Sequence, residues 1–141
     1  MEQEINNEGR IARRFGGRFV PVAVDSLRKL LQDFNVRGGA RMSAIVSRSG
    51  VPVAWALPGD VQVDNFATMA ATLLGALEVI YSTIKASAPS RIAVESESGV
   101  LIVREITGKM FFVSLADKNS APFLKAVETT VTKARDLLGE S

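Results

Sequence analysis

Acidic side chains are the residues of this chain best suited to acid–base chemistry or to holding a hard metal ion. Glu95, Glu97 and Glu105 lie close together in the sequence, near the ends of two apolar runs. Paired carboxylates can act as general acid and base, or can bind divalent cations. No nucleophile or base accompanies them, and carboxylates at strand edges commonly serve as solvated surface that opposes aggregation. The pattern therefore favours a surface role over catalysis.

The composition removes several other kinds of site. The chain has no cysteine and no histidine, which excludes a thiolate zinc site, a cysteine nucleophile and the commonest general base. We therefore predict no catalytic residues, no metal and no cofactor, and a protein that is not an enzyme. The two absences fit a reducing compartment, and residues 1–20 lack the apolar centre of a signal peptide, so a cytoplasmic location is expected.

Glycine-containing segments do not form a nucleotide-binding motif. Thr107-Gly108-Lys109 resembles the end of a phosphate-binding loop, but that motif needs a glycine where this chain has Val103. Gly16-Gly17 and Gly38-Gly39 have no dinucleotide-binding fingerprint around them. These segments are predicted to be turns or breaks in the chain.

Basic and aromatic residues alternate near the start of the chain, a pattern that can bind nucleic acid or anionic lipid. Glu2, Glu4 and Glu8 offset most of that charge, and the whole chain carries a net charge of only +2. Because the net field is weak, we predict no nucleic-acid binding and no membrane insertion. The residues of the cluster are Arg10, Arg13, Arg14, Phe15, Arg18 and Phe19.

Periodicity and turn residues divide the chain into an arm and one domain. Residues 1–24 have no sustained period and are expected to form a flexible N-terminal arm, and residues 25–141 form the folded domain. Helices are predicted after the cap residues Asp25 and Ser26, over 64–85, and from Ser120 to Gly139. The predicted strands are 40–47, 51–57, 92–95, 100–106 and 110–116.

The long helix over 64–85 is apolar on too much of its surface. Apolar residues at spacings of three and four form one broad stripe that should pack on the core: Phe66, Met69, Ala70, Leu73, Leu74, Leu77, Ile80, Tyr81 and Ile84. The opposite face should be charged, yet it is small and nearly uncharged, which favours a second copy as its cover. The alternative is tight packing within its own subunit. The longest uncharged run, Asn65 to Leu77, is too short to span a bilayer. The residues predicted for this dimer interface are Ala67, Thr68, Ala71, Thr72, Gly75, Glu78, Val79 and Ser82.

The order of elements and four short segments resemble the roadblock/dynein light-chain family. The resemblance extends from about Asp25 to the C-terminus, and it depends on the order and spacing of the segments together. The matching segments are Val36-Arg37-Gly38-Gly39-Ala40, Ser49-Gly50-Val51-Pro52-Val53-Ala54, the helix residues 66–76, and Val94-Glu95 followed by Gly99-Val100-Leu101-Ile102-Val103.

The resemblance implies an α/β sandwich of the α+β class, in the order α-β-β-α-β-β-β-α. A five-stranded antiparallel sheet would carry the long helix on one face and the two terminal helices on the other. It also implies a homodimer, or a heterodimer with another roadblock chain, in which the long helices pair and the edge strands, here Arg91 to Ser96, join into one sheet. Ile92 and Val94 are therefore added to the predicted interface.

Members of the family that this chain resembles are adaptors, regulators or activators of small Ras-like GTPases, or light chains of motor complexes. We therefore expect a non-enzymatic dimeric scaffold or regulator of a small Ras-like GTPase. Arg48, at the tip of the first hairpin, has the chemistry to enter a GTPase site, but hairpin arginines are usually solvated. The alternatives are a small-ligand sensor, which needs a cavity with convergent polar groups, and a general adaptor subunit of a larger complex.

Overall fold

The computed structural model of the protein describes residues 3–5, 11–15, 18–21 and 24–139, and it describes side chains for 24–139. The elements alternate in the order that the sequence predicts from residue 24 onward. They are β1 (Gln3–Ile5), β2 (Ile11–Phe15), β3 (Arg18–Pro21), α1 (Val24–Gly38), β4 (Ala40–Ser47), β5 (Pro52–Ala56), α2 (Val63–Thr83), β6 (Arg91–Ser96), β7 (Gly99–Glu105), β8 (Met110–Ala116) and α3 (Ala121–Leu137).

The domain is built on one antiparallel sheet of five strands in the order β5-β4-β8-β7-β6. Of the central strands, β8 is almost entirely buried and β4 is buried from Ser43 to Ser47, which agrees with the apolar residues on both of their faces. Strands β5 and β6 form the two edges of the sheet. The predicted fold class is therefore confirmed.

Helices cover the two faces of the sheet unequally. Because side chains alternate along a strand, Phe112 points to one face and Phe111 to the other. Phe112 packs with Phe34 of α1 and Phe123 of α3 in the larger core. Phe111 packs in a smaller core that contains buried residues of α2 alone among the helices. One face thus carries two helices and the other carries one.

Local signals place the start of α3 well, but they place the starts of α1 and α2 less well. Asp25 and Ser26 were predicted to cap α1, but that helix begins at Val24, and both residues lie inside its first turn. Ser120 caps α3 as predicted, since its side chain accepts a hydrogen bond from the Phe123 N–H at 3.2 Å. The helix predicted over 64–85 begins one residue earlier, at Val63, so Asp64 lies in its first turn. The residue before the helix, Gln62, makes no capping hydrogen bond with its side chain. The start of α2 is therefore set by packing more than by a cap.

The N-terminal arm contains three short strands that sequence analysis missed. They pair antiparallel in the order β1-β2-β3, in a sheet separate from that of the domain. Their sequences mix charged and apolar residues without strict alternation, so periodicity gave no signal. The rest of residues 1–23 lies outside the described residues, and the flexibility of the arm stays a prediction.

Candidate dimer interface on helix α2 and strand β6

Helix α2 rests on the sheet through small residues. Ala67 is completely buried, and Ala70 and Leu74 are buried beside it. These residues meet the bulky sheet residues Phe111 and Val113. Because the large side chains of the sheet fill the space at this contact, the helix can approach closely only where its own side chains are small.

The outward face of α2 is uncharged and exposes large apolar side chains. Met69, Val79 and Ile80 are 62%, 63% and 57% exposed. Exposed large apolar side chains on one continuous helix face are typical of a surface that another element covers. At helical spacing the face consists of Met69, Thr72, Ala76, Val79, Ile80 and Thr83, all of them exposed.

The predicted division of α2 into two faces is therefore partly wrong. Ala67 was assigned to the outer face, but it points into the sheet, so it offers no surface to a second chain. Met69, Ile80 and Ile84 were assigned to the core stripe, but they are exposed. Large apolar residues do not mark the inner face of this helix. The small residues Ala67 and Ala70 do, because they allow close approach to the sheet.

The other predicted interface residues of α2 take three positions. Thr72 and Val79 lie on the outer face, and Thr68 and Ser82 are exposed beside it. Ala71, Gly75 and Glu78 are half-buried.

Ala71 lies near the β4–β5 hairpin, since a Cβ added at Gly50 would be 3.7 Å from the Ala71 Cβ. A Cβ at Gly75 would meet no atom within 4 Å, so packing within the chain does not require that glycine. The interface itself stays a prediction.

Arg48 fixes α2 to the hairpin and to β7. Its guanidinium group lies 2.5 Å from the Glu78 carboxylate of α2 and 3.6 Å from the Glu105 carboxylate of β7. All three side chains are about one-third exposed. Arg48, considered above as a residue that enters a GTPase site, is thus held within its own domain.

We expect a coupling energy of about 1 kcal/mol between Arg48 and Glu78 in the free energy of unfolding. A partly buried ion pair stabilises a fold more than an exposed one does. A double-mutant cycle of Arg48→Ala and Glu78→Ala, followed by urea denaturation, measures it. The matched control is Arg41→Ala with Asp117→Ala, an exposed pair at 3.7 Å for which we expect almost no coupling. Equal coupling energies in the two cycles would contradict the anchoring role.

Strand β6 supplies a second exposed surface next to α2. It pairs with β7 on one side, and no other described strand pairs with it on the other side. Ile92 is half-buried against the smaller core, and Val94 is 44% exposed. An edge strand with free backbone groups is a template for pairing with another strand. The predicted interface residues Ile92 and Val94 therefore lie on the α2 side of an open edge.

The three carboxylates considered for chemistry do not converge. The Glu95 side chain accepts a hydrogen bond from the Asn119 amide at 3.1 Å, and Glu105 pairs with Arg48. Glu97 is exposed in the β6–β7 turn. Within residues 24–139 and the described strands before them, no group of three acidic residues could hold a metal ion.

Helix α2 is long enough and apolar enough, by length and composition, to cross a membrane. The apolar part of the helix extends beyond the uncharged run that ends at Leu77, since Glu78 is the one charged residue between Leu77 and the end of the helix. One such helix is weak evidence, because a helix of a soluble protein can meet the same criteria. Burial of Ala67 against the sheet and the Arg48–Glu78 ion pair favour a helix docked on its own domain.

An open groove of about 250 Å³ runs between α1 and α3. Leu30 and Phe34 line it together with charged side chains such as Lys125 and Lys133. A ligand sensor needs an enclosing cavity, whereas this groove is open to solvent and lies between two helices. It gives the ligand-sensor alternative no specific support.

Comparison with known families decides what kind of domain this is. The model of the Roadblock/LC7 domain matches residues 27–116. The chain belongs to the Roadblock/LC7 family. The match covers α1 to β8 of this roadblock domain and ends before α3, and the N-terminal arm lies outside it.

Solved structures with the same fold include bacterial roadblock proteins. An MglB described in a tetrameric arrangement has a TM-score of 0.75 and 16% identity, over 82% of this chain and 90% of the other. The Myxococcus xanthus MglB has a TM-score of 0.69 and 16% identity, over 80% and 91% of the two chains. A Roadblock/LC7 domain from Streptomyces avermitilis has a TM-score of 0.66 and 17% identity, over 79% and 97%. Comparison with curated protein sequences gave no match.

Proposed function

We propose that this roadblock protein is a non-enzymatic dimeric scaffold that regulates a small Ras-like GTPase in the cytoplasm. The observation that carries the proposal is the uncharged outer face of α2, where Met69, Val79 and Ile80 are exposed side by side. A face of this kind, next to the open edge of β6, suits the pairing of two copies. Membership of the roadblock family supports the GTPase as partner.

The dimer supplies a surface that one chain lacks. Two α2 helices that pair about a two-fold axis would place their exposed ends and the adjoining strand ends on one shared surface. A GTPase that binds this composite surface would bind once for every two chains, because two partners on a central surface would collide. Regulation requires that the GTPase bind with different affinities in its two nucleotide states.

The test is a titration of the protein with a Ras-like GTPase from the same organism, loaded with GDP or with a non-hydrolysable GTP analogue. We expect one GTPase per two chains and at least a tenfold difference in Kd between the nucleotide states. A monomeric variant, Val79→Glu, should bind at least tenfold more weakly, whereas Thr129→Glu, on the opposite helical layer, should bind normally. Equal binding by the monomeric variant would refute the composite surface.

A membrane is the competing explanation for α2, and its length and composition are the specific observation that favours it. Flotation of the protein with vesicles that contain anionic lipid separates the two. The dimeric scaffold predicts that the protein stays with the soluble fraction and that its mass in solution is twice 15.1 kDa. Co-flotation of the wild type, with loss of flotation in Val79→Glu, would favour the membrane.

A further inference from the structure

The backbone of β6 presents three residues to the open edge of the sheet. The Glu105 N–H donates to the Ser90 carbonyl at 3.0 Å, which fixes the phase of the β6–β7 ladder. In an antiparallel pair, hydrogen-bonded residues alternate with residues whose N–H and C=O point away from that neighbour. Ile92, Val94 and Ser96 therefore bond toward β7. Arg91, Ala93 and Glu95 direct their backbone groups to the free edge.

The charges on this edge are arranged symmetrically about Ala93. Arg91 lies two residues before it and Glu95 two residues after it, and all three residues are exposed. The side chains of Arg91 and Glu95 share one face of the sheet, and those of Ile92 and Val94 share the other. The strand is therefore complementary to itself when it is reversed.

Resting on the proposed dimer, in which the family resemblance already implies that the two β6 strands join, we infer the register of that pairing: the strands run antiparallel about a two-fold axis at Ala93, which places Arg91 opposite Glu95 of the partner subunit. Each of the outward-facing residues then finds a backbone partner, because residues 91, 93 and 95 oppose residues 95, 93 and 91. Ile92 opposes Val94 of the partner subunit. This apolar pair would extend the apolar sheet face on the α2 side from one subunit to the other.

The charge of Arg91 is free to pair with a carboxylate of another chain. Across the β6–β7 pair it stands opposite Arg104, a residue of like charge. Arg104 is already paired with Glu128 at 3.1 Å. Within the part of the chain that the structure describes, Arg91 has no ion pair. A carboxylate from a partner strand would relieve this like-charge contact.

Neighbouring registers leave backbone groups or charges of the β6 edge without a partner. A two-fold axis at Ile92 would set Glu95 opposite Pro89, which has no N–H to donate. An axis at Val94 would set Arg91 opposite Glu97, which lies in the β6–β7 turn and not in the strand. The register centred on Ala93 is the one that uses every outward backbone group and pairs both charges. It also makes the chain select its own copy over a roadblock chain with another charge pattern.

Cysteine cross-linking tests the register directly, because the chain has no cysteine of its own. Residues at a two-fold axis between hydrogen-bonded strands have Cα atoms about 5.5 Å apart, within disulfide range. Ala93→Cys should therefore form a covalent dimer with diamide. Ser96→Cys should not, because its two copies would be about 20 Å apart. Preferred cross-linking of Ile92→Cys or Val94→Cys would overturn the register.

Charge exchange tests the pairing of Arg91 with Glu95. Arg91→Glu and Glu95→Arg should each raise the dimer Kd at least tenfold at low salt, and the double variant should restore it to within about threefold. A mixture of the two single variants should form the mixed dimer. Asp60→Arg, at an exposed turn after β5, is the control and should leave Kd unchanged. If all variants dimerise equally, the register fails while the dimer stands; a monomeric wild type refutes the dimer itself.

Discussion

Replacing Val79 with glutamate is expected to convert the protein from a dimer to a monomer. Val79 is 63% exposed at the centre of the outer face of α2, so the change should leave the fold of the single chain intact. In the dimer the same position would be covered, and an unpaired charge there costs several kcal/mol. The two-fold axis doubles that cost, because each substitution occurs twice in the interface. We therefore expect a rise in dimer Kd of about 100-fold or more.

Light scattering coupled to size-exclusion chromatography measures this change as a fall in mass to 15.1 kDa. The matched control is Thr129→Glu, which adds the same charge at an exposed position of α3 and should leave the dimer intact. Ala71→Glu is a poorer probe, since Ala71 is half-buried near Gly50 and the change would disturb the chain's own packing. A Val79→Glu protein that remains dimeric, with an unchanged melting temperature, would show that this face is not the interface.

Replacing Gly99 with alanine should destabilise the domain by about 3 kcal/mol or more. Gly99 begins β7 at a φ of +138°, a conformation that residues with a Cβ rarely adopt. A Cβ at this position would lie 2.2 Å from the carbonyl oxygen of Ala116, which is backbone and cannot rotate away. Strain and overlap act together here, so the β6–β7 hairpin would have to shift.

Thermal and urea unfolding of Gly99→Ala measure the effect, and we expect Tm to fall by more than about 10 °C. Gly108→Ala is the matched control. A Cβ at Gly108 would meet no atom within 4 Å, and the change should alter stability by less than about 0.5 kcal/mol. If both variants unfold alike, the close approach of Gly99 to Ala116 does not limit stability. Because Gly99 adjoins β6, a destabilised hairpin should also weaken dimerisation.

The sequence alone determined the order of elements, and the resemblance of its segments to the roadblock family implied the fold class. Strands such as Met110–Ala116 are apolar at nearly every position, which requires cover on both faces of the sheet. Turn residues at Gly38-Gly39 and at Ser120 marked the C-terminal end of α1 and the start of α3. These are local signals, and they depend on the chemistry of a few neighbouring residues. The same local signals could not find β1–β3, whose short strands lack a clear period.

Packing against the sheet, and not the helix sequence, sets which side of α2 faces inward. Periodicity identifies a helix and its apolar residues, but on a helix with almost no charge it cannot separate the face that packs inward from the face left for a partner. Phe111 and Val113 of the sheet fill the space between sheet and helix, so the small residues Ala67 and Ala70 pack against them. Met69 and Ile80 then lie on the exposed side of the helix. The phase of the β6 ladder was decided in the same way, by pairing with β7. Close packing and strand pairing join residues far apart in the chain, and for that reason neither could be derived from the sequence near α2 or β6.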